Sequence, residues 1–124
     1  VMSGHVLLCD ELLKLGADPN LPTEDGCTPL HWAAMHGNTA ACMVLLEHGA
    51  NIDQVKKGEK LTPLHYAAFQ GHHKTVDCLL HFKANRMVPN AEGYIPLHLG
   101  VAKGCERTIR ALLQKEVMPQ LQYS

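Results

Sequence analysis

What the chain lacks narrows its chemistry before anything it contains. Only six of its 124 residues are aromatic, one of them tryptophan. Neither charge dominates: 11 Lys and Arg against 12 Asp and Glu leave a formal charge of −1, which argues against a general polyanion coat. No apolar run approaches the roughly 18 residues that suggest a membrane span. No basic-then-apolar leader with a small-residue cleavage site is evident, which points away from a secreted precursor. A Gly-rich phosphate loop, a GxSxG elbow and an HExxH pair are all missing. The expectation is a non-enzymatic domain with no cofactor, no metal, and no nucleic acid, membrane or small-molecule substrate as its target.

The five cysteines, Cys9, Cys27, Cys42, Cys78 and Cys105, include no CxxC pair, and an odd count leaves one thiol outside any closed disulfide framework. Free thiols suit a reducing interior, so the expected location is cytoplasm or nucleus. Cys9, Cys42 and Cys78 fall on apolar stripes and are expected to be buried, whereas Cys27 and Cys105 are the expected exposed thiols. The nine histidines make binding expected to depend on pH below about 6.5.

The chain repeats itself. Thr28-Pro29-Leu30-His31 returns as Thr62-Pro63-Leu64-His65, 34 residues on, and as Ile95-Pro96-Leu97-His98 after a further 33. Gly37, Gly71 and Gly104 keep that register, as do the pairs Leu12-Leu13, Leu45-Leu46, Leu79-Leu80 and Leu112-Leu113. Gly16-Ala17-Asp18, Gly49-Ala50-Asn51 and Lys83-Ala84-Asn85 form a third series. Each unit reads as two short helices and a turn. Thr28 and Thr62 stand where an N-cap hydroxyl is wanted, and Pro29, Pro63 and Pro96 fill the first helical position, where no N–H is needed. The glycines stop the first helix, and the second has an apolar stripe at three-and-four spacing. The small pairs Ala33-Ala34 and Ala67-Ala68 allow neighbouring helices to approach closely. A unit with apolar faces on both sides needs neighbours to cover them, which makes the expected fold an all-α repeat solenoid.

The Thr-Pro-Leu-His motif, the small pair after it, the period and the Gly-Ala-Asp turn together resemble the ankyrin repeat, from about Gly4 to Gln114. The resemblance implies stacked antiparallel helix pairs with hairpin-like tips at right angles, the inner helices and tips lining a concave groove. The units are read as a partial N-terminal repeat over 1–22, repeats over 23–55 and 56–89, a degenerate repeat over 90–118 and a tail over 119–124. The first unit has only its second helix, Gly4 to Leu15, so the chain is read as a piece cut from a longer protein on that side. The last has Ile95 for the capping Thr and Gly100-Val101 for the small pair, and the hairpin within Lys56–Leu61 has one extra residue.

His31, His65 and His98 recur in register and invite a metal hypothesis. Stacked helices lie about 8–10 Å apart, however, whereas zinc–nitrogen bonds are about 2 Å, so three such imidazoles cannot share one ion. The resemblance instead implies that each imidazole ties one turn to the next through backbone hydrogen bonds.

Aromatic placement is more telling. Trp32, Tyr66 and Leu99 follow those histidines, and Met35, Phe69 and Ala102 stand three positions later, with His36, Gln70 and Lys103 one further on. Tyr94 is at a tip, in register with Cys27 and Leu61. The resemblance puts these positions on or beside the groove. The expected partner-binding residues are therefore Trp32, Met35, His36, Leu61, Tyr66, Phe69, Gln70, Tyr94, Leu99 and Lys103. Against this, Trp32 and Tyr66 can merely fill space between inner helices, but Trp and Tyr are enriched at binding hot spots and prefer one wet edge. Phe82 is expected to pack on the outer face. Lys56, Lys57 and Lys60 crowd the central tip, with Glu59 among them, and Glu24-Asp25 and Glu92 mark its neighbours; a complementary partner would carry acid at its middle and base at its ends. The resemblance also makes Asn20 a candidate for hairpin-asparagine hydroxylation, although Pro19 departs from the usual aliphatic neighbour.

The reading is a protein- or peptide-binding module of a larger scaffold, adaptor or regulatory protein, monomeric unless an exposed face around Val6, Leu7 and Leu8 self-associates. The alternatives are homotypic assembly or a structural spacer in a longer array.

Overall fold

The computed structural model describes residue 20 and residues 26–114. Among them are six helices and no strand: α1 (Pro29–Met35), α2 (Thr39–Glu47), α3 (Pro63–Gln70), α4 (His73–His81), α5 (Pro96–Lys103) and α6 (Glu106–Leu113). They pair as α1–α2, α3–α4 and α5–α6. The first helices α1, α3 and α5 stack in one layer, and α2, α4 and α6 in a second. The expected first half-unit, the Val6–Leu8 face, Cys9 and the segment beyond Gln114 lie outside the described residues.

Each inner helix starts for a local reason. The Thr28 hydroxyl accepts from the His31 N–H at 3.4 Å, while His31 Nδ1 accepts from the Thr28 N–H at 3.0 Å. Thr62 and His65 repeat that reciprocal cap at 3.3 and 3.1 Å. Proline follows directly, where its missing donor costs nothing. In the third unit Ile95 has no hydroxyl to offer, so only half the cap survives: His98 Nδ1 accepts from the Ile95 N–H at 3.0 Å. The stops are as regular, with Gly71 (φ 74°) and Gly104 (φ 81°) taking the left-handed C-cap position.

The core runs between the layers. Leu30, Ala34, Leu64, Ala67 and Ala68 of the inner helices are essentially fully buried, as are Cys42, Leu45, Val76 and Leu79 of the outer ones. The small pairs behave as expected in the first two units. In the third, Gly100 is buried so close to α6 that an added Cβ would lie 3.3 Å from Thr108 Cγ2. Its neighbour Val101 is exposed, unlike Ala34 and Ala68 in the same register.

Hydrogen bonds staple one unit to the next. The His31 Nε2–H donates to the Leu61 carbonyl at 2.9 Å, and the His65 Nε2–H donates to the Tyr94 carbonyl at 2.9 Å. A carbonyl only accepts, so the proton is on Nε2; Nδ1 accepts from the cap N–H, so each imidazole is neutral. His72 reaches back to the Met35 carbonyl at 3.1 Å. On the turns, Asn20 Oδ1 accepts from the Asn51 N–H at 2.5 Å and Asn20 Nδ2 donates to the Gly49 carbonyl at 3.1 Å. Asp53, 33 positions later, accepts from the Asn85 N–H at 2.9 Å.

One expectation needs correction. Cys27 is buried, not exposed. Gly26 (φ 82°), next to it, turns the chain beneath the following hairpin, with its Cβ direction 3.3 Å from the Val55 carbonyl. Phe82, the C-cap residue of α4, is half-buried, its ring T-shaped to that of His81 at 5.6 Å between ring centres.

Candidate functional site: an apolar groove under the hairpin tips

The second and third tips are built differently and meet each other. In one, the Lys56 N–H donates to the Leu61 carbonyl at 2.9 Å, enclosing the extra residue, and Lys60 takes a left-handed φ of 58° to close the turn. In the other, the Asn90 N–H donates to the Tyr94 carbonyl at 2.8 Å. Asn90 Oδ1 accepts from the N–H groups of both Glu92 and Tyr94 at 2.9 Å, which fixes that tip from within. The Ala91 N–H then donates to the Glu59 carbonyl at 2.9 Å, joining tip to tip. The joined tips form a wall, and the inner helices form the floor.

Between them is a groove of about 590 Å³, inside the roughly 300–1,000 Å³ usual for ligand sites. Met35 of α1, Tyr66, Phe69 and Gln70 of α3, Leu99 of α5 and Leu61 line it. These are six of the ten expected binding residues. Phe69 is 51% exposed, a large apolar ring left in water at the mouth. Tyr66 is anchored instead: its ring meets that of His31 edge-on at 5.7 Å.

The other four expected residues are not in the lining. Trp32 is 54% exposed and stacks on His36, 5.2 Å between ring centres and 21° between planes, making a flat pair on α1. Tyr94 offers its carbonyl to His65 and its ring to the edge of His98 at 5.5 Å. The Lys103 side chain lies along Gly71, its Cγ 3.4 Å from the Cβ direction there.

Sequence reasoning left Gly58, Glu59, Asn90, Ala91 and Glu92 out of the site, yet all line the groove. The available signal was the register of Glu59 and Glu92 on successive tips. The Lys56–Lys60 cluster drew attention away from it. Lys56 is turned into the fold, pairing with Glu59 at 3.4 Å and hydrogen-bonding the Tyr66 hydroxyl. Lys57 and Lys60 are exposed outside the lining. Glu59 is therefore the one charged residue of the central tip that lines the groove.

His65 also borders the groove but is committed to the fold. Burial pushes its pKa below the ordinary imidazole value, with the Tyr94 carbonyl opposing that shift. Among the described residues no cluster of three or more His, Cys, Asp or Glu side chains could hold a metal ion. No described helix is long and apolar enough to cross a membrane.

Two stacked helical layers, a wall of joined tips and an open apolar floor define a helical repeat protein with a groove along its inner helices. The family model for ankyrin repeats in three copies matches residues 1–85 and 49–122, and the chain belongs to the ankyrin-repeat family. It is 40% identical over 103 residues to palmitoyltransferase akr1 of Neurospora crassa, covering 82% of this chain and 14% of that protein. It is 38% identical over 98 residues to the putative palmitoyltransferase ZDHHC13 of Danio rerio, covering 79% and 15% respectively. Against potassium channel AKT2/3 of Arabidopsis thaliana it is 37% identical over 84 residues, 68% of this chain and 10% of the channel. The chain thus spans about one seventh or less of these much longer relatives. Ankyrin repeats are protein-interaction modules.

Proposed function

We propose that this domain holds an extended segment of a partner protein in the groove between α1, α3, α5 and the tips over 56–61 and 90–94. The observation that carries this reading is the exposed Phe69 ring, set beside Tyr66, Leu61 and Leu99 over an open apolar floor. Burying such rings is the usual source of interface affinity, and the hydrogen-bonded wall limits what must be ordered on binding. Adjacent inner helices lie about 8–10 Å apart and an extended chain advances about 3.3 Å per residue. A segment lying across the helices meets successive floor residues with anchors at i, i+3 and i+6. The Trp32–His36 pair extends the same face toward the N-terminal side.

In this reading the chain is the recognition part of a larger scaffold, adaptor or regulatory protein, with units over 23–55, 56–89 and 90–118. It contributes no catalytic group. The free thiols Cys42, Cys78 and Cys105 fit cytoplasm or nucleus. The test is a pull-down from cell extract, read by mass spectrometry, with wild type, Tyr66→Ala/Phe69→Ala and, on the outer helix, Met43→Ala. Melting curves first establish that all three are folded. Proteins retained by wild type and Met43→Ala but lost with the groove variant support the reading; equal capture by all three places the contact elsewhere.

A further inference from the structure

We propose that the segment occupying this groove carries a cationic side chain, Lys or Arg, next to an apolar anchor; the inference rests on the groove-binding reading above. It comes from the acidic and basic side chains that line the groove: Glu59, Glu92 and His65. His65 is neutral, its Nε2–H given to the Tyr94 carbonyl and its Nδ1 to the Thr62 cap. No Lys or Arg lines the groove. Lys56, the nearest cation, pairs with Glu59 at 3.4 Å, and only 23% of its side chain is exposed, against 68% for Glu59. The Glu59 carboxylate therefore keeps an open side. Glu92 is exposed on the adjoining tip and has no ion-pair partner among the described residues. Lys57, Lys60 and Lys103 are exposed but outside the lining.

Glu59 and Glu92 sit on tips whose backbones are bonded together, Ala91 N–H to Glu59 carbonyl, which puts two glutamates on one rim above an aromatic floor. A Lys or Arg side chain matches both parts. Its methylene stem lies on apolar surface while its head reaches water and charge, and the Tyr66 and Phe69 faces attract a cation within about 6 Å. An acidic segment in the same place faces two glutamates with Lys56 already engaged. The apolar anchor beside the cation fills the floor between Leu61, Phe69 and Leu99.

The inference is tested by selecting a displayed library of random nine-residue peptides on the whole chain, and repeating the selection on two variants. Glu59→Gln/Glu92→Gln keeps shape and hydrogen bonding but removes the charge; Tyr66→Ala/Phe69→Ala removes the floor. The expected result is that wild type enriches peptides with Lys or Arg within three residues of a large apolar side chain. The glutamine variant still selects the apolar residue without the basic one. Selected basic peptides bind it about two- to fivefold more weakly per removed carboxylate, the range of exposed ion pairs. That difference shrinks as salt rises. Enriched peptides with no basic preference, or with the same preference on the glutamine variant, overturn the charge inference and leave groove binding intact. Peptides that bind the floor variant as well as wild type overturn groove binding itself, and the absence of any enrichment overturns both.

Discussion

His65 and Tyr94 stand 29 positions apart, yet the His65 Nε2–H donates to the Tyr94 carbonyl at 2.9 Å. The other ring nitrogen accepts from the Thr62 N–H at 3.1 Å. One buried imidazole thus starts its own helix and fixes the next unit's tip, which is the wall of the groove. His98 has the local half of this arrangement and is exposed. His65→Ala should therefore cost about 3 kcal/mol, since it leaves buried backbone groups without partners. His98→Ala should cost under about 1 kcal/mol. Urea denaturation of the two variants checks this, and equal losses would contradict it.

The same burial makes His65 pH-sensitive. Its folded pKa is lowered, first by desolvation, so the unfolded chain takes up a proton before the folded one does. The stabilisation is complete above the unfolded imidazole pKa of about 6.5 and is lost as pH falls from there through the lower folded value. Urea midpoints should drop between pH 7.5 and pH 5.5. The drop should be smaller in His65→Gln.

How much of this was legible in the sequence depends on the range of the interaction. Thr28-Pro29 and Thr62-Pro63 announce helix starts because the cap closes within three residues, and the glycines at 71 and 104 stop the helices because only φ at that residue matters. The floor was readable too: once the ankyrin resemblance says which positions face the groove, Met35, Tyr66, Phe69 and Leu99 follow from the register. The wall was not. Whether a tip presents lysine or glutamate depends on Lys56 finding Glu59 and the Tyr66 hydroxyl, and Gly26, beside the buried Cys27, packs against the Val55 carbonyl about 30 residues later in the chain. Such facts belong to the contact between units, which a repeat pattern does not encode.

The thiols should separate sharply by reactivity. Burial, with Cys78 nearby, pushes Cys42 up to about 12. Cys105, at the N-cap of α6, is lowered, first by the Thr108 side chain and then by the Thr108 backbone N–H. Iodoacetamide labelling followed by peptide mapping should modify Cys105 well before Cys42, with Cys42 protected until the chain unfolds. Labelling of Cys42 first would contradict the burial assigned to it.

Positive φ gives a graded set of stability changes. Lys83 (φ 72°) occupies the turn position that Gly49 (φ 91°) fills one unit earlier, so Lys83→Gly should stabilise by about 1 kcal/mol. Gly49 has open space at its Cβ direction, and Gly49→Ala should cost about 1 kcal/mol from the backbone alone. At Gly37 (φ 69°) a Cβ would lie 2.7 Å from His72 Nδ1. The ring that reaches Met35 would have to move, so Gly37→Ala should cost more than Gly49→Ala. Thermal or urea melts order the three.

The central claim is that partners sit on the floor formed by α3 and α5 beneath the joined tips. Its most direct measurement is site-specific photo-cross-linking in cells, with p-benzoylphenylalanine placed at Phe69 or Leu99 and, as the outer-face comparison, at Met43. A discrete cross-linked partner band is expected from positions 69 and 99 and none from position 43. Cross-links from position 43 alone would contradict it and move the binding surface to the outer helices.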